Sequence, residues 1–378
     1  MARNPKPVKI KRHKNSMGSS AQNTVKAKKV LSLVVAVVLV VAVGFMLGKP
    51  LLNLITAGGN SGDSSAETVV SQPEIIQTEQ TEDGSVADSS EETQLPPDVQ
   101  IETNRVYYYA TASQLSGQGN IATVVNTMKA KGATHLVFDA KNMEGYVHYT
   151  SSNQYASQLP ATVLIDIPGM VSQLKAAGIT PVATIYTFKD KKISDVERST
   201  AVMYQGTDTR WLDSSAALGG KAWANPASKL MQDYIIALTD ELMAMGITEF
   251  IYAGFSTPTG YSLDKRDFGA TTEQVLANMK SLIGTLEAKI SAKGGYSAWQ
   301  FEYSAVKADG DYAQYIVHPY QLGAENMIIT ASGGDIDAAA VATLTADENQ
   351  EDIGEITLWL VDGLNNEETR TLGSYFVS

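Results

Sequence analysis

From Arg105 to the C-terminus, short apolar runs alternate with longer amphipathic segments. The short runs are rich in β-branched and aromatic residues and are bounded by Gly, Pro, Asn or Asp, a pattern typical of strands. Eight strands are predicted in this way, at 106–111, 135–140, 180–187, 250–253, 296–303, 312–318, 327–330 and 355–361.

Between these strands, apolar residues recur at helical spacing. Asn225–Pro226 is typical of a helix start, with Asn as the cap and Pro in the first turn, and Gly246 ends that helix. Thr271 and Gln274 have the spacing of a capping box. Helices are predicted near 121–131, 167–177, 226–245, 272–290 and 336–344.

Strands and helices that alternate in this order predict an α/β domain. Their number, over about 270 residues, fits a (β/α)8 TIM barrel that spans residues 105–378. A doubly wound open sheet is the structural alternative. No glycine-rich phosphate loop follows the first strand, so the barrel is favoured.

Residues 30–48 are the longest apolar run in the chain, and they contain no charge. Their nineteen residues would form a helix of about 28 Å, close to the roughly 30 Å hydrocarbon core of a bilayer. A cleaved signal peptide is the alternative, but its apolar region usually has only about 7–15 residues. The length, and the lack of a clear cleavage site before Lys49, favour a single transmembrane helix.

Charge divides the chain into blocks. Residues 1–49 carry ten Lys or Arg and no acid, whereas residues 50–104 carry eleven acids and no Lys or Arg. The positive-inside rule therefore keeps a basic tail, residues 1–29, in the cytoplasm. Residues 49–104 are acidic and rich in Ser, Gly and Thr, which predicts a disordered linker. We expect a single-pass cell-membrane protein whose C-terminal domain, residues 105–378, is extracellular.

Composition excludes several classes of function. The 378-residue chain has a net charge of −12, and an acidic folded part argues against a nucleic-acid partner. The chain has no cysteine, which excludes disulfides, thiolate catalysis and zinc–cysteine sites. Its four histidines lack HxxxH or HExxH spacing, so neither a metal nor another cofactor is expected. The sequence carries no signal for the oligomeric state.

Carboxylates lie near the ends of two predicted strands, and strand ends form the active-site mouth of such barrels. Asp139 and Lys141 are two residues apart, so they point to one side of an extended chain, and Lys141 is expected to lower the pKa of Asp139. The alternative is a structural ion pair at the barrel rim. Glu302 would be a proton donor if it faces the mouth and a partner of a helix residue if it faces outward. Glycoside hydrolysis needs two carboxyl groups, so Asp139 and Glu302 are the candidate catalytic pair.

Other side chains near the predicted strand ends are candidates for sugar contact. Tryptophan and tyrosine rings suit stacking on sugars, although any one aromatic residue is more often part of the core. His135 begins an apolar strand and is predicted to be structural. The candidate substrate-binding residues are Lys141, Lys189, Trp223, Tyr252, Ser256, His318, Trp359 and Asp362.

Five pieces of sequence follow one another along residues 105–258. They are RVYYYATA, HLVFDAKNMEGYVHY and IYTFKD at the first three strands, Trp-x-Asn-Pro at 223–226, and GITEF before the fourth strand. In this order and spacing they resemble the uncharacterised bacterial family of glycosyl hydrolase domains. The resemblance implies a TIM barrel that acts on glycans, with Asp139 and Lys141 at the family's Asp-x-Lys position.

The resemblance also implies a fourth strand that ends in Phe-Asp-Tyr-Ile-Arg-Phe-Pro. Here Ala253 replaces the Asp and Ser256 replaces the Arg, while Pro258 is kept. Loss of a carboxylate nucleophile or base costs several orders of magnitude in rate. The first hypothesis is therefore a tethered extracellular barrel that acts on or at cell-wall or exopolysaccharide glycan, with reduced or absent hydrolysis. The second is a non-catalytic glycan-binding or protein-scaffolding module. The sequence identifies neither the sugar nor the linkage.

Overall fold

The computed structural model describes the C-terminal part of the chain. The residues described are 99–101, 105–307, 310–330, 344, 356–360 and 373–377, and of residues 99–101, 118 and 356–360 only the backbone is described. The predicted cytoplasmic tail and transmembrane segment, most of the predicted linker, and most of the predicted helix at 336–344 lie outside these residues. Within them, no helix is long and apolar enough to cross a membrane.

One curled, parallel sheet dominates the described residues. Its strands pair in the order β1-β10-β9-β8-β6-β4-β3-β2-β11, and every pairing is parallel. The two remaining strands, β5 and β7, form a small antiparallel pair. The strands are β1 (Val99–Ile101), β2 (Val106–Tyr109), β3 (His135–Lys141), β4 (Thr180–Tyr186), β5 (Met203–Tyr204), β6 (Glu249–Ala253), β7 (Arg266–Asp267), β8 (Tyr296–Glu302), β9 (Asn326–Thr330), β10 (Ile356–Leu360) and β11 (Tyr375–Phe376).

The first five strands predicted along the domain are confirmed as β2, β3, β4, β6 and β8. The predicted strand at 312–318 is wrong. That segment contains a short 3-10 helix, Ala313–Tyr315, and Ile316 has a φ of 74°, which is incompatible with an extended chain. The strands predicted at 327–330 and 355–361 therefore occupy the sixth and seventh positions, as β9 and β10.

Two short strands complete the sheet. β11 pairs with β2 at one edge, and β1 pairs with β10 at the other. Residues of β1 fall within 49–104, the range that the sequence assigns to the linker. β1 has three residues and β11 has two, which are too few to show the alternation of a strand, so neither could be predicted from the sequence.

Helices cover the outer face of the sheet. The helices of the described residues are α1 (Ala112–Leu115), α2 (Gln118–Ala130), α3 (Ile167–Ala176), α4 (Ile193–Val196), α5 (Lys229–Ala244), α6 (Thr272–Ser291) and α7 (Tyr303–Val306). The predicted capping box at Thr271 and Gln274 is confirmed at the start of α6. Asn225 does not cap α5 as predicted; Ser228 does, by accepting from the Met231 amide, because Asn225 accepts from Ala227 and donates to Phe268.

The sheet separates two apolar layers. On its outer side, aromatic residues of the strands pack against the helices, and Tyr252 and Trp299 stack with ring centroids 4.5 Å apart. On its inner side a smaller layer takes one residue from each of six strands: Tyr107, Val137, Val182, Ile251, Ala298 and Ile328. Since successive strand residues point to opposite faces, this inner layer fixes which residues line the inside of the curl.

Polar residues occupy the amino end of the sheet. Arg105 donates to Glu249, and both side chains are nearly buried. The His135 Nε2 lies 3.3 Å from the Arg105 guanidinium, and burial together with Arg105 lowers the pKa of His135 to about 4. His135 is therefore a structural residue, as predicted.

Candidate functional site

The inner face of the sheet carries polar side chains at its carboxyl end. Tyr109 and Asp139 lie two residues beyond the inner-layer residues of β2 and β3, and Tyr186 and Glu302 lie four residues beyond those of β4 and β8. Alternation along a strand places all four on the inner side. We call these four residues the carboxyl-end cluster. Glu302 thus belongs to the mouth and does not face the helices.

Asp139 is held by a tyrosine of the neighbouring strand. The Tyr109 hydroxyl donates to Asp139 Oδ2 at 3.0 Å. Both residues line a cavity of about 520 Å³, together with His148 and Asn142, whose side-chain nitrogens Nε2 and Nδ2 are 3.1 Å apart. Burial raises the pKa of Asp139, and the hydrogen bond from Tyr109 and the nearby His148 oppose that rise. Asp139 therefore holds a proton more readily than an exposed aspartate does.

Tyr186 connects the two candidate carboxylates. Burial raises its pKa, and the charges of Asp139 and Glu302 raise it further. Tyr109 responds to the same surroundings, because burial, Asp139 and Tyr186 all raise its pKa. Since one tyrosine hydroxyl senses both carboxylates, the structure brings the predicted catalytic pair to one electrostatic neighbourhood.

Ala253 stands inside this neighbourhood. It pairs with Tyr186 in the β4–β6 register and is fully buried. It lies two residues beyond the inner-layer residue Ile251, so its methyl group points to the inner face. At the position where the resemblance implies an aspartate, the inner face therefore has an apolar group and no proton donor or nucleophile.

Lys141 does not accompany Asp139 as predicted. The β3–β4 register shifts between these two residues, and the shift breaks the two-residue alternation on which the prediction rested. The Lys141 Nζ lies 2.8 Å from Asp190 Oδ2, and both side chains are fully buried. The expectation that Lys141 lowers the pKa of Asp139 is wrong, because the groups that lower it are Tyr109 and His148, and burial raises it overall. Lys141 is a structural residue below the mouth.

Lys189 and Trp223 lie together at a second cavity. The Lys189 Nζ is 5.8 Å from the centre of the Trp223 ring, and both residues line a cavity of about 250 Å³ next to the end of β4. The Trp223 Nε1 donates to Asp213 Oδ2 at 3.2 Å, which fixes the ring. The structure thus brings two of the predicted substrate-binding residues to one concave surface.

Two other candidates are built into the protein interior. The Tyr252 hydroxyl bonds to Thr239 of α5 at 2.9 Å, so Tyr252 faces the helices and not the mouth. His318 is buried, with Nε2 on the Val306 carbonyl and Nδ1 accepting from Tyr320, which makes it a cap of the short 3-10 helix Pro319–Leu322. The predictions of substrate contact for Tyr252 and His318 are therefore wrong.

For the remaining three candidates, the structure gives only their burial or their place in the chain. Ser256 is buried in the loop after β6. Trp359 lies in β10, of which only the backbone is described, paired with Ile328 of β9. Asp362 lies outside the described residues.

Two tyrosines and a histidine of the site were missed from the sequence. Tyr109 and Tyr186 end strands whose inner residues are apolar, so counting by two from Tyr107 and Val182 finds both. His148 reaches Asp139 through the loop after β3, and no sequence period could place it there. Across the described residues, no group of three or more His, Asp or Glu side chains could hold a metal ion.

The curled parallel α/β sheet, with carboxylates at the carboxyl ends of its strands, has the features of a glycoside-hydrolase-like domain. The model of the family described as "Putative glycosyl hydrolase domain" matches residues 108–305, which is more than half of the chain. The chain belongs to this family, as the resemblance predicted. A comparison with curated proteins gives no match.

Several solved structures resemble the chain at low identity. A hypothetical protein from Ruminiclostridium thermocellum ATCC 27405 is 17% identical with a TM-score of 0.42, over 51% of this chain and 96% of that protein. The cycloalternan-forming enzyme from Listeria monocytogenes is 13% identical with a TM-score of 0.40, over 73% of this chain and 30% of the enzyme. An α-galactosidase from Thermus thermophilus is 9% identical with a TM-score of 0.37, over 60% of this chain and 41% of the enzyme. The chain thus spans less than half the length of these two enzymes.

Proposed function

We propose that the carboxyl-end cluster binds a glycan of the cell envelope and that its hydrolytic activity is reduced or lost. The observation that carries this proposal is the position of Asp139 and Glu302 on the inner face at the carboxyl end of one sheet, where the charges of both raise the pKa of Tyr186. Two carboxyl groups around one opening are what glycoside hydrolysis requires. Membership of the glycosyl hydrolase family supports the substrate class.

The two carboxyl groups of the cluster would have different roles. Asp139 has a raised pKa, which suits a general acid that protonates the leaving oxygen of a glycosidic bond. Glu302 would then act as the base or the nucleophile on the other side of that bond. The Tyr109 and Tyr186 hydroxyls would hydrogen-bond the sugar and hold it against the pair.

Ala253 is the reason to propose weak hydrolysis. An aspartate there would lie beside Tyr186 on the inner face, where a third carboxylate could serve as the nucleophile or base. The alanine methyl group supplies neither role. The same observation favours the second candidate function, a non-catalytic glycan-binding module, in which the cluster keeps its hydrogen-bonding groups and performs no chemistry.

The proposal extends to the architecture and location of the protein. The curled parallel sheet would form part of a TIM barrel, which family membership supports. Residues 30–48 would anchor the chain in the cell membrane, with residues 1–29 in the cytoplasm and the barrel outside the cell, as the charge blocks support. Protease added to intact cells should remove the barrel, and its protection would show that this orientation is wrong.

The test of function uses the full-length chain against a panel of cell-wall and exopolysaccharide glycans. Binding is measured by calorimetry, and hydrolysis by release of reducing ends. Asp139→Asn is the variant of interest, and Asp240→Asn is its matched control, since Asp240 lies on α5 and pairs with Lys289 at 2.9 Å. We expect weak release that Asp139→Asn abolishes and Asp240→Asn leaves unchanged.

Other outcomes decide between the two candidate functions. Binding without any release would favour the non-catalytic module. Release that Asp139→Asn does not change would remove Asp139 from the mechanism. If none of the glycans binds, the proposal fails. A gain of release in Ala253→Asp, provided that thermal unfolding shows a folded variant, would identify the missing carboxylate as the cause of low activity.

A further inference from the structure

Three lysines and three carboxylates line the cavity beside the end of β4. Lys189, Lys191 and Lys221 line it together with the Trp223 ring, and its volume is about 250 Å³. We call these four residues the lysine cavity. A local concentration of ammonium groups is unexpected in a chain with a net charge of −12.

Two of these lysines are forced together. The Lys191 side chain is only 13% exposed, although an ammonium group strongly prefers water. Burial and the adjacent Lys221 lower the pKa of Lys191 to about 8, with Asp213 acting in the opposite direction. Two neighbouring ammonium groups repel each other, and an anion placed between them would relieve that repulsion.

The three carboxylates that line the cavity each have a partner of their own. Glu144 pairs with Lys191 from a side chain that is 45% exposed. Asp213 accepts from the Lys221 amide at 2.8 Å and from Trp223 Nε1 at 3.2 Å. Asp190 pairs with Lys141 in the interior. Among the described residues, no carboxylate forms an ion pair with the ammonium group of Lys189 or Lys221.

The lysine cavity adjoins the carboxyl-end cluster through Gly254. This residue has a φ of 62°, and a Cβ built on it would lie 2.8 Å from the Lys189 Cβ and 3.4 Å from the Tyr186 Cδ1. The amide of Lys189 donates to the Gly254 carbonyl at 3.2 Å. Lys189 and Tyr186 therefore pack against the same backbone position, so the lysine cavity and the carboxyl-end cluster are neighbours.

We propose that the lysine cavity is a subsite for a negatively charged sugar unit of the glycan. Its ammonium groups would bind the carboxylate of a uronic acid, and the face of Trp223 would contact the sugar ring. The aromatic wall favours a charged sugar over a bare inorganic ion, since a ring face adds nothing to the binding of a small anion. This inference rests on the proposed function, because it assumes that the neighbouring cluster holds a glycan.

The experiment measures binding of three probes to the full-length chain by calorimetry. The probes are a galacturonic acid trisaccharide, the matching neutral galactose trisaccharide, and glucose 6-phosphate, which separates a phosphate from a carboxylate as the source of charge. We expect the acidic trisaccharide to bind at least about tenfold more tightly than the neutral one, the effect of one charged hydrogen bond. Lys221→Met should remove about that factor and change neutral binding less than about twofold.

Lys229→Met is the control, because it removes the same charge from an exposed lysine that pairs with Asp233 on α5. It should keep the preference for the acidic trisaccharide. Equal affinity for the acidic and neutral trisaccharides, or a preference that survives Lys221→Met, would overturn the inference. Tighter binding of glucose 6-phosphate that depends on Lys221 would overturn the assignment of a carboxylate and keep a charged-sugar subsite.

A second measurement separates this inference from the proposed function and does not require a variant. The exposed Lys221 should be acetylated at pH 8, as followed by mass spectrometry. Galacturonate monosaccharide should protect it, and galactose should not. Protection without any binding of the neutral trisaccharide would contradict the proposed function alone, and lack of protection would contradict the subsite alone.

Discussion

The buried ion pair between Lys141 and Asp190 provides the sharpest test of the structure. Both side chains are fully buried, with Lys141 Nζ 2.8 Å from Asp190 Oδ2. The other oxygen, Oδ1, accepts from the amides of Lys192 and Ile193 at 2.7 and 2.9 Å and holds the start of α4. Replacing Lys141 by Met leaves a carboxylate buried without its cation. A change of this kind costs about 3–5 kcal/mol of unfolding free energy.

The assay is urea denaturation of the full-length chain and its variants, followed by tryptophan fluorescence. Lys141→Met should lower the unfolding free energy by about 3–5 kcal/mol. The double variant Lys141→Met/Asp190→Asn should recover part of that loss, because the neutral amide needs no cation and keeps its oxygen for the two amides of α4. Lys229→Met is the matched control and should cost less than about 1 kcal/mol, since its pair with Asp233 is exposed.

One result would refute this reasoning. If Lys141→Met unfolds within about 1 kcal/mol of the natural chain, the ion pair is not a buried structural element. Asp190 would then not need the Lys141 ammonium group to remain buried.

Three further predictions follow from single side chains. Burial raises the pKa of Glu287 to about 7, above its unfolded value near 4.5. Ionised Glu287 therefore destabilises the folded chain, and Glu287→Gln should stabilise it above pH 7 by up to about 3 kcal/mol. In thermal unfolding scans, this gain should shrink as the pH falls toward 4.5. Gly145 has a φ of 96°, and a Cβ there would meet Asp190 Oδ1 at 2.1 Å. Gly145→Ala should therefore lower the melting temperature by several degrees. An unchanged melting temperature would show that the loop adapts. Tyr109→Phe removes a hydrogen bond that lowers the pKa of Asp139, so this pKa should rise in the variant. Any glycan binding or hydrolysis that needs protonated Asp139 should then extend to higher pH. An unchanged pH profile would contradict that role.

The sequence predicts the long elements of this fold because their periods are long enough to read. β3, β4 and β8 have seven residues each, and the capping box of α6 is a local signal. The predictions fail where tertiary contacts determine the local structure. The apolar run around Tyr315 resembles a strand, but the positive φ of Ile316 and the cap from His318 turn it into irregular chain.

The candidate site divides in the same way. Asp139 and Glu302 could be chosen as the carboxylate pair because strand ends meet at one end of a parallel sheet. The position of Lys141 could not be predicted, since a single bulge after Asp139 reverses the side to which later residues point. The roles of Tyr252 and His318 depend on partners 13 and 12 residues away, Thr239 and Val306, to which no spacing in the sequence points.

The buried pair of Arg105 and Glu249 marks the end of the sheet that is suited to attaching the protein to a support. β1 and β2 run parallel to the other strands, and this ion pair lies at the amino end of the sheet that they share. The carboxyl-end cluster lies at the opposite end of the same strands. The exposed Tyr296 begins β8 at that amino end, so a label attached there joins the domain on the side away from the cluster. Immobilisation at this residue should leave the opening accessible to a polymer in solution.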